Sequence, residues 1–202
     1  MRIKLLALPA ILAFALPVAA QPSAEKPQSQ QRQAPPQAAP DVSAKVPSPR
    51  AEDVKSIDSI IAALYSGISG PAGERDWNRF RSLFLPQAQL TAAGKSADGS
   101  VRVHPMSVED YVKGAGGYLA QHAFFESPIV SRVQTFGNVS QVFSSYESRH
   151  ASDEAPFARG INSFQLLYDG HRWWVVSILW DEERSDNPLP KEFAAKTPAD
   201  QK

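Results

Sequence analysis

The run Arg159-Gly-Ile-Asn-Ser-Phe-Gln-Leu-Leu-Tyr-Asp169-Gly170-His-Arg-Trp-Trp-Val-Val-Ser-Ile-Leu-Trp180 decides the fold class. Two β-rich segments flank an Asp169-Gly170 step, a pair that favours tight hairpins because type I′ turns need positive φ at both central positions. With a two-residue turn, Tyr168 lies opposite His171, Leu166 opposite Trp173, Phe164 opposite Val175 and Asn162 opposite Ser177. Alternation then divides the hairpin between two faces. Asn162, Phe164, Leu166, Trp173, Val175 and Ser177 share one. Ile161, Trp174, Val176, Ile178 and Trp180 share the other.

A second hairpin precedes it, residues 123–136 and 139–150, turning at Gly137-Asn138. Before that, Ile57, Ile60, Ile61, Leu64 and Ile68 recur at helical spacing, and Gly70-Pro71 ends that helix. Asp76 caps a short second helix carrying Trp77, Phe80, Leu83 and Phe84. Short strands are expected over residues 88–92 and 100–104, and Ser107-Val-Glu-Asp110 is a capping-box-like start for a third helix. Helices first and long antiparallel strands last give an α+β domain, with helices on one face of a curved sheet.

The ends of the chain read differently. Arg2 and Lys4, the apolar stretch 5–16 and Val18-Ala19-Ala20 form a secretory signal peptide, residues 1–20, with cleavage expected between Ala20 and Gln21. The stretch is shorter than the ~20 residues a membrane span needs. Residues 21–50 hold seven prolines and six glutamines, the composition of a disordered linker. Residues 185–202 are expected to be a flexible tail, which leaves one domain, residues 51–184. A periplasmic or secreted location follows, with no membrane span after cleavage.

No cysteine is present, so disulfides, thiol catalysis and cysteine-ligated zinc are excluded. Lys+Arg and Asp+Glu are both 21, and this balance gives no electrostatic reason to expect nucleic acid as a partner. The scattered histidines suggest no metal site, no phosphate-binding loop is present, and no cofactor is expected.

The element order resembles the nuclear transport factor 2-like (SnoaL-like) superfamily. Asp76-Trp-Asn-Arg-Phe-Arg-Ser-Leu-Phe84 matches its short second helix, Gly137-Asn138-Val139 the turn into its third long strand, and Asp169-Gly170-His-Arg-Trp173-Trp-Val175-Val-Ser177 its closing hairpin. The resemblance implies a cone: a strongly curved antiparallel sheet wrapped around helices, a cystatin-like roll with a pocket at its open end. It also implies that the first tryptophan after the closing turn points into the cone. On that footing the pocket is lined by Trp77, Tyr111, Ser144, Tyr146, Asn162, Phe164, Trp173, Val175 and Ser177. The apolar outward set Ile161, Trp174, Val176, Ile178 and Trp180 becomes an interface, and a homodimer is expected through it. A contact between Glu147 and Arg132 is possible on that face.

Isomerases and cyclases of this superfamily need a carboxylate or histidine base inside the pocket. No inward strand position read from the alternation is acidic. The catalytic candidates are therefore His104, Asp110 and Glu126, all at element ends. The reading that follows is an exported small-ligand-binding or accessory dimerisation domain without a recognisable catalytic set, its ligand small and apolar. An isomerase, dehydratase or cyclase acting on a small hydrophobic substrate is the alternative, and an envelope protein-interaction module a further one.

Overall fold

The computed structural model describes residues 42–195. The signal peptide, most of the expected linker and the last residues of the tail lie outside that range. A six-stranded sheet forms the body, built from β1 (Phe84–Lys95), β2 (Val101–Ser107), β3 (Phe125–Phe136), β4 (Val139–Arg149), β5 (Ala158–Tyr168) and β6 (Trp173–Glu182). Its spatial order is β2-β1-β6-β5-β4-β3. All neighbours are antiparallel except β1 and β6, which run parallel. The two short strands expected near residues 88–92 and 100–104 are thus longer, and they extend the same sheet. The fold is the α+β cone.

Four helices accompany the sheet: α1 (Ala51–Val54), α2 (Ile57–Ile68), α3 (Trp77–Ser82) and α4 (Val108–Leu119). Ser56 caps α2 by accepting from Ser59 N, and Asp76 caps α3 by accepting from Arg79 N. Ser107 and Asp110 form a complete capping box on α4, which is why that helix persists through Gly114, Gly116 and Gly117. Helix α2 lies in the concavity, and Ile60, Leu64 and Tyr65 are buried along it. They join Phe80, Leu90, Phe164, Leu166, Val175 and Ile178 in one core. Each fully buried aliphatic or aromatic side chain there contributes about 2 kcal/mol, so no disulfide is required. Asp53 and Arg79 add a two-pronged ion pair (2.7 and 2.8 Å) that fastens α1 to α3.

Two irregularities decide which residues face inward. The closing turn spans residues 169–172 rather than two residues, so Tyr168 pairs with Trp173 and Leu166 with Val175. The Asp169 carboxylate forces this. One of its oxygens accepts from His171 N and Arg172 N, at 2.8 Å each, and the other accepts from Trp174 Nε1 at 2.6 Å. A register shift at Val176 then reverses the alternation, pairing Ser177 with Gln165 and Ile178 with Phe164. The second irregularity is at Pro128, which cannot donate to the ladder. Pro128 pairs with Tyr146 and Val130 with Ser145, leaving Ile129 between them.

The expected tail makes defined contacts as far as Ala194. Ser145 Oγ donates to Phe193 O (2.7 Å), the Phe193 and Phe143 rings meet edge to face at 5.4 Å, and Leu189 N donates to Glu183 Oε1. This segment covers part of the outer sheet face. Glu147 pairs with Arg149 at 2.8 Å rather than with Arg132, which lies opposite Phe143.

Candidate active site

The open end of the cone holds a cavity of about 210 Å³. Leu64, Tyr65 and Ile68 of α2 form one wall, with Phe80, Leu90 and Tyr111 beside them. Tyr146 and Ser148 of β4, Asn162 and Phe164 of β5, and Ile178, Trp180 and Glu182 of β6 form the sheet side. Phe124 and Phe157 line it too, their rings 6.2 Å apart. The volume lies below the roughly 300–1,000 Å³ of drug-sized ligand sites, so the occupant it admits is small.

Two glutamates line this cavity, Glu182 exposed at its rim and Glu126 the less exposed of the two. The Glu126 backbone is held from both sides by Ser69, whose Oγ donates to Glu126 O (3.0 Å) and accepts from Glu126 N (2.9 Å). Ser69 is itself fixed at the end of α2. There the Arg75 guanidinium reaches the carbonyls of Ile68, Gly70, Pro71 and Gly73, and Gly70 bridges to Phe124. On the side chain, Ser148 Oγ donates to Glu126 Oε2 at 3.0 Å.

Burial pushes the Glu126 carboxyl up from 4.5 to about 7; the Ser148 hydroxyl and the nearby Asn162 amide favour the ionised form, and the nearby Glu182 opposes it. A carboxyl poised near neutrality can both take and return a proton. Burial likewise raises the Tyr65 phenol to about 12, and those of Tyr111 and Tyr146 rise as well. All three stay protonated at neutral pH. Tyr65 is spoken for, accepting from Asn162 Nδ2 at 3.2 Å and meeting Ser144 Oγ at 3.0 Å. Among the described residues the hydroxyls of Tyr111 and Tyr146 make no hydrogen bond, so two donors remain for a ligand.

Tyr111, Tyr146, Asn162 and Phe164 therefore line the cavity. Ser144 reaches it only through Tyr65. Trp77 stands behind Phe80, 5.7 Å from it ring to ring, and packs on Gly116. Val175 is wholly buried, Trp173 meets Tyr168 at the turn, and Ser177 lies beyond the register shift, so none of the three lines the cavity. The expected interface set is broken up, by the same shift for Ile178 and Trp180 and by a covering side chain for Trp174. Ile178 and Trp180 face the cavity. Trp174 is wholly buried beneath Arg172, whose guanidinium lies 3.7 Å from its ring centre. Only Ile161 and Val176 of that set remain outward, with Leu179 beside them.

Of the three catalytic candidates, the cavity takes one. Asp110 is exposed and engaged with Ser107 at the start of α4. His104 is exposed on β2, opposite Ala92. The expectation of a pocket without an acid is overturned by Glu126, which the Pro128 irregularity turns inward to pair with Ser148. Glu182 is a second carboxylate, exposed at the rim. Tyr65, Ser148 and Glu182 were not read from the sequence. Extending the inward series Ser140, Val142, Ser144 and Tyr146 by one step would have found Ser148. Among the described residues no group of three or more histidines and carboxylates could hold a metal ion, and no helix is long and apolar enough to cross a membrane.

No protein-family model and no curated protein sequence matches the chain. Several solved structures resemble it. A cystatin-like protein of unknown function from Nostoc punctiforme is 12% identical with a TM-score of 0.49, over 64% of this chain and 90% of that one. A hexachlorocyclohexane dehydrochlorinase from Novosphingobium barchaimii is 11% identical with a TM-score of 0.49, over 71% and 93%. A putative ketosteroid isomerase from Parabacteroides distasonis is 14% identical with a TM-score of 0.43, over 65% and 91%. At such identities the likeness assigns no activity. The α+β cone fold rests on this chain's own strand order and helix placement.

Proposed function

We propose that the cavity binds a small, largely apolar molecule bearing a carbonyl-type oxygen, and that Glu126 transfers a proton on it, an isomerase- or lyase-type reaction. One arrangement carries the reading: the Glu126 carboxyl, pushed up to about 7 by burial, shares an apolar cavity with two phenols that make no hydrogen bond among the described residues. Glu126 takes a proton from carbon next to the carbonyl, and the hydroxyls of Tyr111 and Tyr146 donate to the oxygen as negative charge develops on it. Protonated Glu126 then returns the proton, at the same carbon or at a conjugated one.

The test uses 3-cyclohexen-1-one in deuterated buffer, followed by NMR. Catalysed exchange or double-bond migration is expected with the wild type and not with Glu126→Gln. Equal rates in the two proteins would overturn the reading. A second reading, ligand binding without turnover, is favoured by the predominance of apolar lining. It is distinguished by saturable binding of the same ketone without exchange.

Two further proposals concern the setting. Export through residues 1–20 would place the domain outside the cytoplasm. Homodimerisation, or docking to another envelope protein, would use the reduced outward set of Ile161, Val176 and Leu179. A monomer by light scattering from micromolar to near-millimolar concentration would overturn the dimer.

A further inference from the structure

Strand β6 runs out through three consecutive acids, Asp181, Glu182 and Glu183. The outer two are paired with arginines: Arg184 Nη2 lies 2.9 Å from Asp181 Oδ2, and Arg159 Nε 2.7 Å from Glu183 Oε2. Glu182 alternates to the other face, where it lines the cavity mouth two residues beyond Trp180. Among the described residues its carboxylate makes neither a hydrogen bond nor an ion pair. A negative charge is thus left uncompensated at the one place along this run that opens on the cavity.

Aromatic rings surround that charge. Eight aromatic residues and two glutamates line the cavity, and among the described residues no lysine, arginine or histidine does, so any charge in the lining is negative. Tyr111 and Trp180 stand edge to face, 6.4 Å apart with their planes at 88°, and make a corner. Phe124 and Phe157 meet at 61° and make another, with Phe157 51% exposed at the mouth. The face of an aromatic ring is the negative pole of its quadrupole, so these corners attract a positive group. A compact primary ammonium is strongly hydrated and brings N–H donors that rings satisfy poorly. A methylated ammonium has no such donors and presents apolar methyl groups around its charge.

We propose that the cavity mouth holds a quaternary ammonium group, its charge against the Glu182 carboxylate and its methyl groups against Trp180, Tyr111 and Phe157. The inference goes beyond the proton-transfer reading and does not depend on it, because it uses no chemistry of Glu126. Where both hold, the substrate is a ketone with a methylated ammonium arm that stays at the rim.

The test compares choline with 3,3-dimethyl-1-butanol, which has the same shape with carbon in place of the charged nitrogen, by calorimetric titration of the wild-type protein at low salt. Choline is expected to bind saturably and the neutral alcohol about tenfold more weakly. Glu182→Gln, at an exposed position, is expected to weaken choline by about tenfold and the alcohol little. Trp180→Leu keeps an apolar side chain without the ring and should also weaken choline more than the alcohol. Asp153→Asn removes a negative charge from the exposed loop between β4 and β5, outside the lining, and should change neither. Equal binding of choline and the alcohol by the wild type, or undiminished choline binding by Glu182→Gln, would overturn the inference. Choline binding that depends on Glu182, in a protein that exchanges no proton on the ketone probe, would leave the inference standing and remove the proton-transfer reading.

Discussion

Tyr146 crosses Gly160 so closely that a Cβ on Gly160 would lie 2.6 Å from the Tyr146 hydroxyl oxygen and closer still to the Asp181 carbonyl oxygen. The two residues are direct partners across β4 and β5. Gly160 has no side chain because the Tyr146 phenol occupies that place, and the phenol is thereby held against the cavity wall.

Gly160→Ala should therefore displace Tyr146 or part β5 from β6. Overpacking of this kind costs about 1–3 kcal/mol, to be read as a lower urea midpoint with an unchanged slope. Any ketone affinity should fall with it.

The Glu126 carboxyl also gives a pH signature in stability. Its folded pKa of about 7 lies above the ordinary 4.5, so between those values the folded chain holds the proton more tightly than the unfolded chain. Below pH 4.5 both states are protonated and the burial costs nothing extra. As pH rises from 4.5 to 7 stability is lost, by about 3 kcal/mol in full. Glu126→Gln should be more stable than the wild type at pH 8 by up to that amount. The gain should vanish at pH 4, as read by denaturant unfolding at each pH.

Removing a phenol tests the oxyanion role apart from binding. Tyr146→Phe should lower kcat on the ketone probe by about a hundredfold and move KM little, since the interaction strengthens with developing charge. A fall in affinity alone would mark Tyr146 as a binding group only.

How far these features could be read in advance depended on where the chain is regular. The Gly137-Asn138 turn came out as expected, Phe136 pairing with Val139 across a Gly137 whose φ is +55°. The inward series Ser140, Val142, Ser144 and Tyr146 followed from it. Asp169-Gly170 carries the same kind of signal, yet the Asp169 carboxylate captures Trp174 and widens the loop. No local pattern announces a contact to a side chain five residues on. The wider loop slips the register by two residues and keeps the alternation; the shift at Val176 is what moved Ile178 and Trp180 from the outer face to the cavity. Glu126 was hidden by one residue: strict alternation from Ser131 and Ile129 turns it outward, and Pro128 reverses that. The proline was visible in the sequence. The bulge it requires was the missing step.

Export has its own check. Protein recovered from the periplasm or medium of a bacterial host should begin at Gln21, as read by N-terminal sequencing and intact mass. A cytoplasmic product retaining Met1 would contradict cleavage of residues 1–20.

The proton-transfer account depends most on the resting state of a single carboxyl group. NMR titration of 13C-labelled glutamate in the ligand-free wild-type protein reads it directly. The account expects the Glu126 resonance to titrate with a midpoint near 7. A midpoint near 4.5, with the carboxylate already ionised through the neutral range as on any surface, would contradict it.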